Sequence, residues 1–91
     1  MQKKQEIKTI KKILIERGCK KIILFGSFLE KGKQHQDIDI AVSGMKPEDF
    51  FYSISFLPLL LNKKVDLVDL DDLSPFFLEN LQKKGKIIYE I

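Results

Sequence analysis

Cysteine is almost absent from this chain, with Cys19 the single thiol. One thiol can neither close a disulfide within the chain nor build a cysteine-based zinc site, and a free thiol fits a reducing compartment. No stretch approaches the roughly 18 consecutive apolar residues that a bilayer span requires. Residues 1–13 interrupt their apolar positions with lysines, unlike a secretory signal. We therefore expect a cytoplasmic protein with no membrane association. Glycine and proline are scarce, at 5 and 3 residues, and no repeat, linker or low-complexity tract divides the chain, so residues 1–91 are expected to form a single domain. A strong net charge is also missing. The formal value of +3 is too small to mark a nucleic-acid binder, and no direct nucleic-acid binding is expected. Lysines do gather at Lys3, Lys4, Lys8, Lys11, Lys12, Lys20 and Lys21, a pattern that reads as a solvated helix face.

What is present is the composition of an ordinary globule, 44% hydrophobic and 32% charged. Ile7, Ile10, Ile13 and Leu14 carry the three-and-four spacing of an amphipathic helix over 3–17, with Gly18 as its stop. Ile22 to Phe25 form a continuous apolar run, expected as a strand buried on both faces. A second strand starts at Asp37 and ends near Val42. Lys46-Pro47-Glu48-Asp49 has the proline and acids of a helix start. The helix is expected to reach about Leu61, kinked or divided at Pro58. Residues 64–68 read as a third strand. Ser74 and Pro75 cap a last helix that ends at Gly85, and Ile87 to Tyr89 suit a short edge strand. Phe50, Phe51, Phe56, Phe76 and Phe77 are numerous for so small a domain. Most are expected in the core, and any exposed remainder points to a protein interface.

Chemistry concentrates in residues 21–42. The apolar strand breaks into Gly26-Ser27, and after a nine-residue polar bridge the chain reads Asp37-Ile38-Asp39-Ile40. Alternation places Asp37 and Asp39 on one face of their strand. Nearby like charges favour a protonation change or a bound cation. A glycine-serine turn at a strand end offers N–H groups and a hydroxyl to phosphate. The bridge is too short for a parallel crossover, so the first two strands should pair antiparallel. The helical segment after Val42 is long enough for one, so the third strand should run parallel to the second. Asp66 then falls beside Asp37 and Asp39. Taken singly, each signal has a plain alternative: alternating Asp and Ile is also the pattern of any half-exposed strand, and Gly-Ser is most often only a turn. His35, and Asp69, Asp71 and Asp72, are weaker candidates that read first as solvated loop positions.

Together, LFGS at 24–27, DIDI at 37–40, VDLVDL at 65–70 and the closing GKIIYE at 85–90 resemble the nucleotidyltransferase superfamily related to DNA polymerase beta. The nearest likeness is to its minimal nucleotidyltransferases, the MNT proteins, which often act as antitoxins beside HEPN-domain toxins. The resemblance implies an α+β (α/β-like) nucleotidyltransferase fold, a small mixed sheet of three to four strands flanked by helices. It implies that Gly26 and Ser27 hold a nucleoside triphosphate, that Asp37, Asp39 and Asp66 ligate two magnesium ions, and that Asp66 also takes the acceptor's proton. ATP would be the substrate and AMP the transferred group. The acceptor would be a tyrosine of a partner HEPN toxin. The chain departs from the family after Gly26-Ser27, where a basic residue and an Arg-Gly pair are common. Phe28 and Glu30-Lys31-Gly32 stand there instead, with Lys31 or Lys33 as the replacement charge at the nucleotide. Two further expectations stand beside the protein-modifying enzyme. One is a catalytically weak antitoxin that neutralises its partner by contact alone, and the other is a transferase acting on a small molecule.

Overall fold

The structure, a computed structural model, describes residues 3–26 and 37–91. Helix α1 (Lys3–Glu16) leads into strand β1 (Lys21–Phe25). Strand β2 (Asp37–Ser43), helix α2 (Pro47–Leu61) and strand β3 (Lys64–Asp69) follow. A short 3-10 turn (Leu70–Asp72), helix α3 (Pro75–Lys84) and strand β4 (Lys86–Glu90) complete the order. The four strands form one mixed sheet in the order β3-β2-β1-β4. As the spacing required, β1 and β2 pair antiparallel and β2 and β3 pair parallel across the α2 crossover. Strand β4 closes the other edge, antiparallel to β1.

The apolar pattern divides the sheet between two layers. Ile22, Leu24, Ile38, Ile40, Val42 and Val65 face α1 and α2, packing on Ile10, Leu14, Leu57 and Leu61. Ile23 and Ala41 face the other way, under Leu70, Leu81 and the half-buried Leu78. Strand β1 is therefore apolar on both faces because helices cover both. Burying most of these side chains is worth about 1.5–3 kcal/mol each and fixes the strand register, since a one-residue slip would turn every side chain to the wrong face.

Local signals set the ends. Gly18 adopts φ +87°, the left-handed region that ends α1 at low cost. Ser74 accepts a hydrogen bond from the Phe77 N–H at 3.3 Å, and Pro75 opens α3. Helix α2 is a single helix that continues through Pro58, not two shorter pieces. The phenylalanines depart from expectation. Phe51, Phe76 and Phe77 are exposed and Phe50 and Phe56 only half-buried, so none of the five sits fully in the core. The helices bury only their inner stripes, and each of these rings lies on or beside an outer one. Asp71 accepts hydrogen bonds from the Ser43 hydroxyl at 2.9 Å and the Gly44 N–H at 3.0 Å, while Asp69 accepts from the Asp71 N–H at 2.9 Å. These two acids tie the end of β2 to the turn after β3. No helix is long and apolar enough to cross a membrane among the described residues.

Candidate active site at the carboxylate end of the sheet

The site lies where β1 ends and β2 and β3 begin. On β2, Ile38, Ile40 and Val42 are fully buried or nearly so, which forces Asp37 and Asp39 to the opposite face. Asp39 stands across from Phe25 of β1 on one side and from Asp66 of β3 on the other. Asp37 stands across from Lys64. Parallel neighbours in register point the same way, so Asp37, Asp39, Lys64 and Asp66 share one face of the sheet. Asp66 is exposed to solvent, and Asp37 and Asp39 are half-buried. None is sealed off by packing.

Asp39 is the electrostatic centre. Its carboxyl is held above the ordinary carboxylate range, first by burial, then by the Asp66 charge and a hydrogen bond shared with Asp66, and then by Asp37. Lys64 pulls in the opposite direction. A raised carboxyl holds its proton more readily than an ordinary one, which is one answer to such crowding. The alternative answer is a cation. Among the described residues, no three His, Cys, Asp or Glu side chains form a metal-binding group. The close pair is Asp39 with Asp66, and Asp37 acts on it through its charge. That geometry suits magnesium, which takes one or two carboxylates and keeps its remaining positions for water and phosphate oxygens.

Gly26 connects the turn to the acids. Its φ of +72° favours glycine, and a Cβ placed there would run into the Asp39 carboxylate. The end of β1 thus lies against the central acid with no side chain between them. Ser27, Phe28, Glu30, Lys31, Gly32, Lys33 and His35 lie outside the described residues. Of the residues expected at the site from sequence, the structure brings together Gly26, Asp37, Asp39 and Asp66. It adds Lys64, which the sequence reading passed over. The signal was available, because parallel register with Asp37 follows once Asp39 is set opposite Asp66.

A family model described as "Polymerase beta, Nucleotidyltransferase" matches residues 8–91. The chain belongs to this family. Solved structures agree. The chain is 26% identical to a chain of the complex of a tri-AMPylated Shewanella oneidensis HEPN toxin with its MNT antitoxin, covering 99% of this chain and 74% of that one, with a TM-score of 0.80. A toxin–antitoxin complex with AMP-PNP gives 29% identity, coverage of 94% and 73%, and a TM-score of 0.77. The MntA-HepT toxin–antitoxin complex gives 28% identity, coverage of 99% and 74%, and a TM-score of 0.73. No curated protein matches the chain.

Proposed function

We propose that the chain moves AMP from ATP onto a tyrosine hydroxyl of a HEPN-type toxin and in this way serves as that toxin's antitoxin. The observation that carries this is Asp39 set against Asp66 on one side and Gly26 on the other, on an open face of the sheet. Solved relatives add weight: one is a complex with a tri-AMPylated HEPN toxin, and another is a toxin–antitoxin complex with AMP-PNP.

Gly26 and Ser27 would receive the triphosphate, with Gly26 lying against Asp39 with no Cβ between them, and Lys31 and Lys33 would add positive charge for it. Asp39 and Asp66 would hold magnesium directly, with the Asp37 charge beside them. The carboxyl pair fits that role because it is short of positive charge, and its oxygens are the hard donors magnesium prefers. When bound, the metal supplies charge neutralisation at the phosphates and at the accepting oxygen. Asp66, the exposed member, faces the acceptor and takes the tyrosine proton. The tyrosine oxygen forms a bond to the α-phosphorus as the bond from that phosphorus to the pyrophosphate oxygen breaks. The products are an AMP-tyrosine phosphodiester and pyrophosphate.

The test is incubation of the chain with labelled ATP, magnesium and the HEPN-domain protein encoded beside it. Label should appear on that protein and be lost in Asp39→Asn. Tight binding without label, unchanged in Asp39→Asn, would replace enzymatic silencing with silencing by contact. Label on a small molecule instead would place the acceptor outside the toxin.

A further inference from the structure

Two adjacent lysines meet opposite fates at the start of β3. Lys63 donates to Glu6 Oε1 at 3.1 Å and lies 2.9 Å from Oε2, neutralising a carboxylate of α1 that is almost completely buried. Lys64 comes next and faces the other way, onto the carboxylate face, in register with Asp37. It is exposed and takes part in no ion pair among the described residues. Its charge is felt at Asp39 all the same. Once a cation has satisfied the carboxylates, the Lys64 ammonium is left as surplus positive charge beside them, facing solvent.

The sheet order says which substrate it meets. Across the carboxylate end the strands run β3, β2, β1, β4. Gly26 ends β1, so the triphosphate and its leaving pyrophosphate belong over the β1 side. Asp66 is on β3, which has no strand beyond it among the described residues, so the accepting hydroxyl would arrive from that side. Lys64 shares the edge strand with Asp66, two residues away on the same face, and the whole width of β2 separates it from β1.

We propose that Lys64 determines acceptor choice, pairing with an anionic group that lies next to the accepting hydroxyl. This rests on the assignment of the triphosphate to the Gly26 turn and of the acceptor to Asp66. Two sources of that anion are open: an acidic side chain of the partner near its tyrosine, or the phosphate of a nucleotide already attached to it. An ammonium reaches both, and neither belongs to ATP.

The experiment compares wild type, Lys64→Gln and Lys64→Arg on the HEPN-domain partner. It measures KM for the partner and for ATP separately, the affinity for the partner by calorimetry, and nucleotides added per partner by mass spectrometry. Lys64→Gln should raise the partner's KM and dissociation constant about tenfold, the worth of one charge-assisted hydrogen bond, with the KM for ATP unchanged. Lys64→Arg should restore most of the loss, because the charge returns. A loss already present at the first transfer identifies an acidic side chain, and a loss confined to later transfers identifies the attached phosphate. A rise in the KM for ATP instead, or a fall in kcat with both KM values unchanged, overturns the proposal, since Lys64 would then serve the triphosphate or merely offset the carboxylates. Retention of label by Asp39→Asn would refute the underlying assignment instead, and that result is independent of Lys64.

Discussion

Replacing Asp39 by Asn should make the metal-free protein more stable while removing its activity. Asp39 and Asp66 stand directly opposite on adjacent strands, about 5 Å apart by sheet geometry. Two unit charges at that distance repel by about 1 kcal/mol under full water screening and about 3 kcal/mol at an effective dielectric of about 20. Asp66 is exposed, so the smaller figure applies. Asn also keeps a donor for the Asp66 carboxylate, so the contact survives the change. For a domain of this size about 1 kcal/mol is a rise in Tm of about 4–8 °C. The pH dependence follows from the direction of the shift. The Asp39 carboxyl is held above its ordinary range, so the folded state binds its proton more tightly than the unfolded state. The stability it contributes is full below the ordinary carboxylate range, near about pH 4, and is lost as pH rises through the raised value. The advantage of Asp39→Asn should therefore vanish in acid and grow toward neutrality. Magnesium should narrow it by stabilising wild type alone. Thermal melts of both proteins from pH 4 to 8, with and without magnesium, measure all of this. A destabilised Asp39→Asn, or an advantage independent of pH, would refute repulsion as the governing force at the site.

Two substitutions separate the site from its scaffold. Gly26→Ala meets both a left-handed φ and the Asp39 carboxylate; it should cost about 1–2 kcal/mol in a urea melt and lower turnover by at least about tenfold by displacing the acid. Asp71→Ala removes the acceptor of two hydrogen bonds from Ser43 and Gly44 at the opposite end of β2. It should cost about 1–2 kcal/mol and leave transfer per folded molecule unchanged in the labelling assay. A loss of transfer without a loss of stability in Asp71→Ala would show that the far end of the sheet reaches the chemistry.

Much of the scaffold could be read in advance because few alternatives satisfied its pattern. The bridge between Phe25 and Asp37 is too short for a parallel crossover, and the segment between Ser43 and Lys64 is long enough for one. Those two lengths determine the pairing of β1, β2 and β3, and alternation then places Asp39 beside Asp66. Periodicity also found α1 and the inner stripe of α2. It failed where identity does not reveal direction. Phe51 and Phe76 are 64% and 77% exposed, although their size argues for the core. Nothing local in the sequence indicates that Glu6 is buried, because its partner Lys63 lies at the far end of α2 and only the folded chain brings them together. Asp71, set aside as a solvated loop residue, turned out to clamp β2. Lys64 enters the sequence reading only as the first residue of the third strand, and its meaning appears once register sets it beside Asp37.

These particulars bear on how the fold holds an unfavourable arrangement. Carboxylates brought side by side would separate if the strands beneath them could slide. They cannot, because Ile38 and Ile40 alternate with the acids and are fully buried with Leu24 and Val65 against α1 and α2. Sliding β2 by one residue would bury Asp37 and Asp39 and expose those isoleucines, at several kcal/mol for each buried charge. That exceeds by far the roughly 1 kcal/mol that separation of the acids would recover. The core therefore holds the acids at a spacing they oppose, an opposition that a divalent cation would relieve. If the aspartates hold magnesium as proposed, the Asp-Ile-Asp-Ile sequence does two jobs that depend on each other: the isoleucines supply the restraint, and the stability lost to repulsion would return as affinity for the metal.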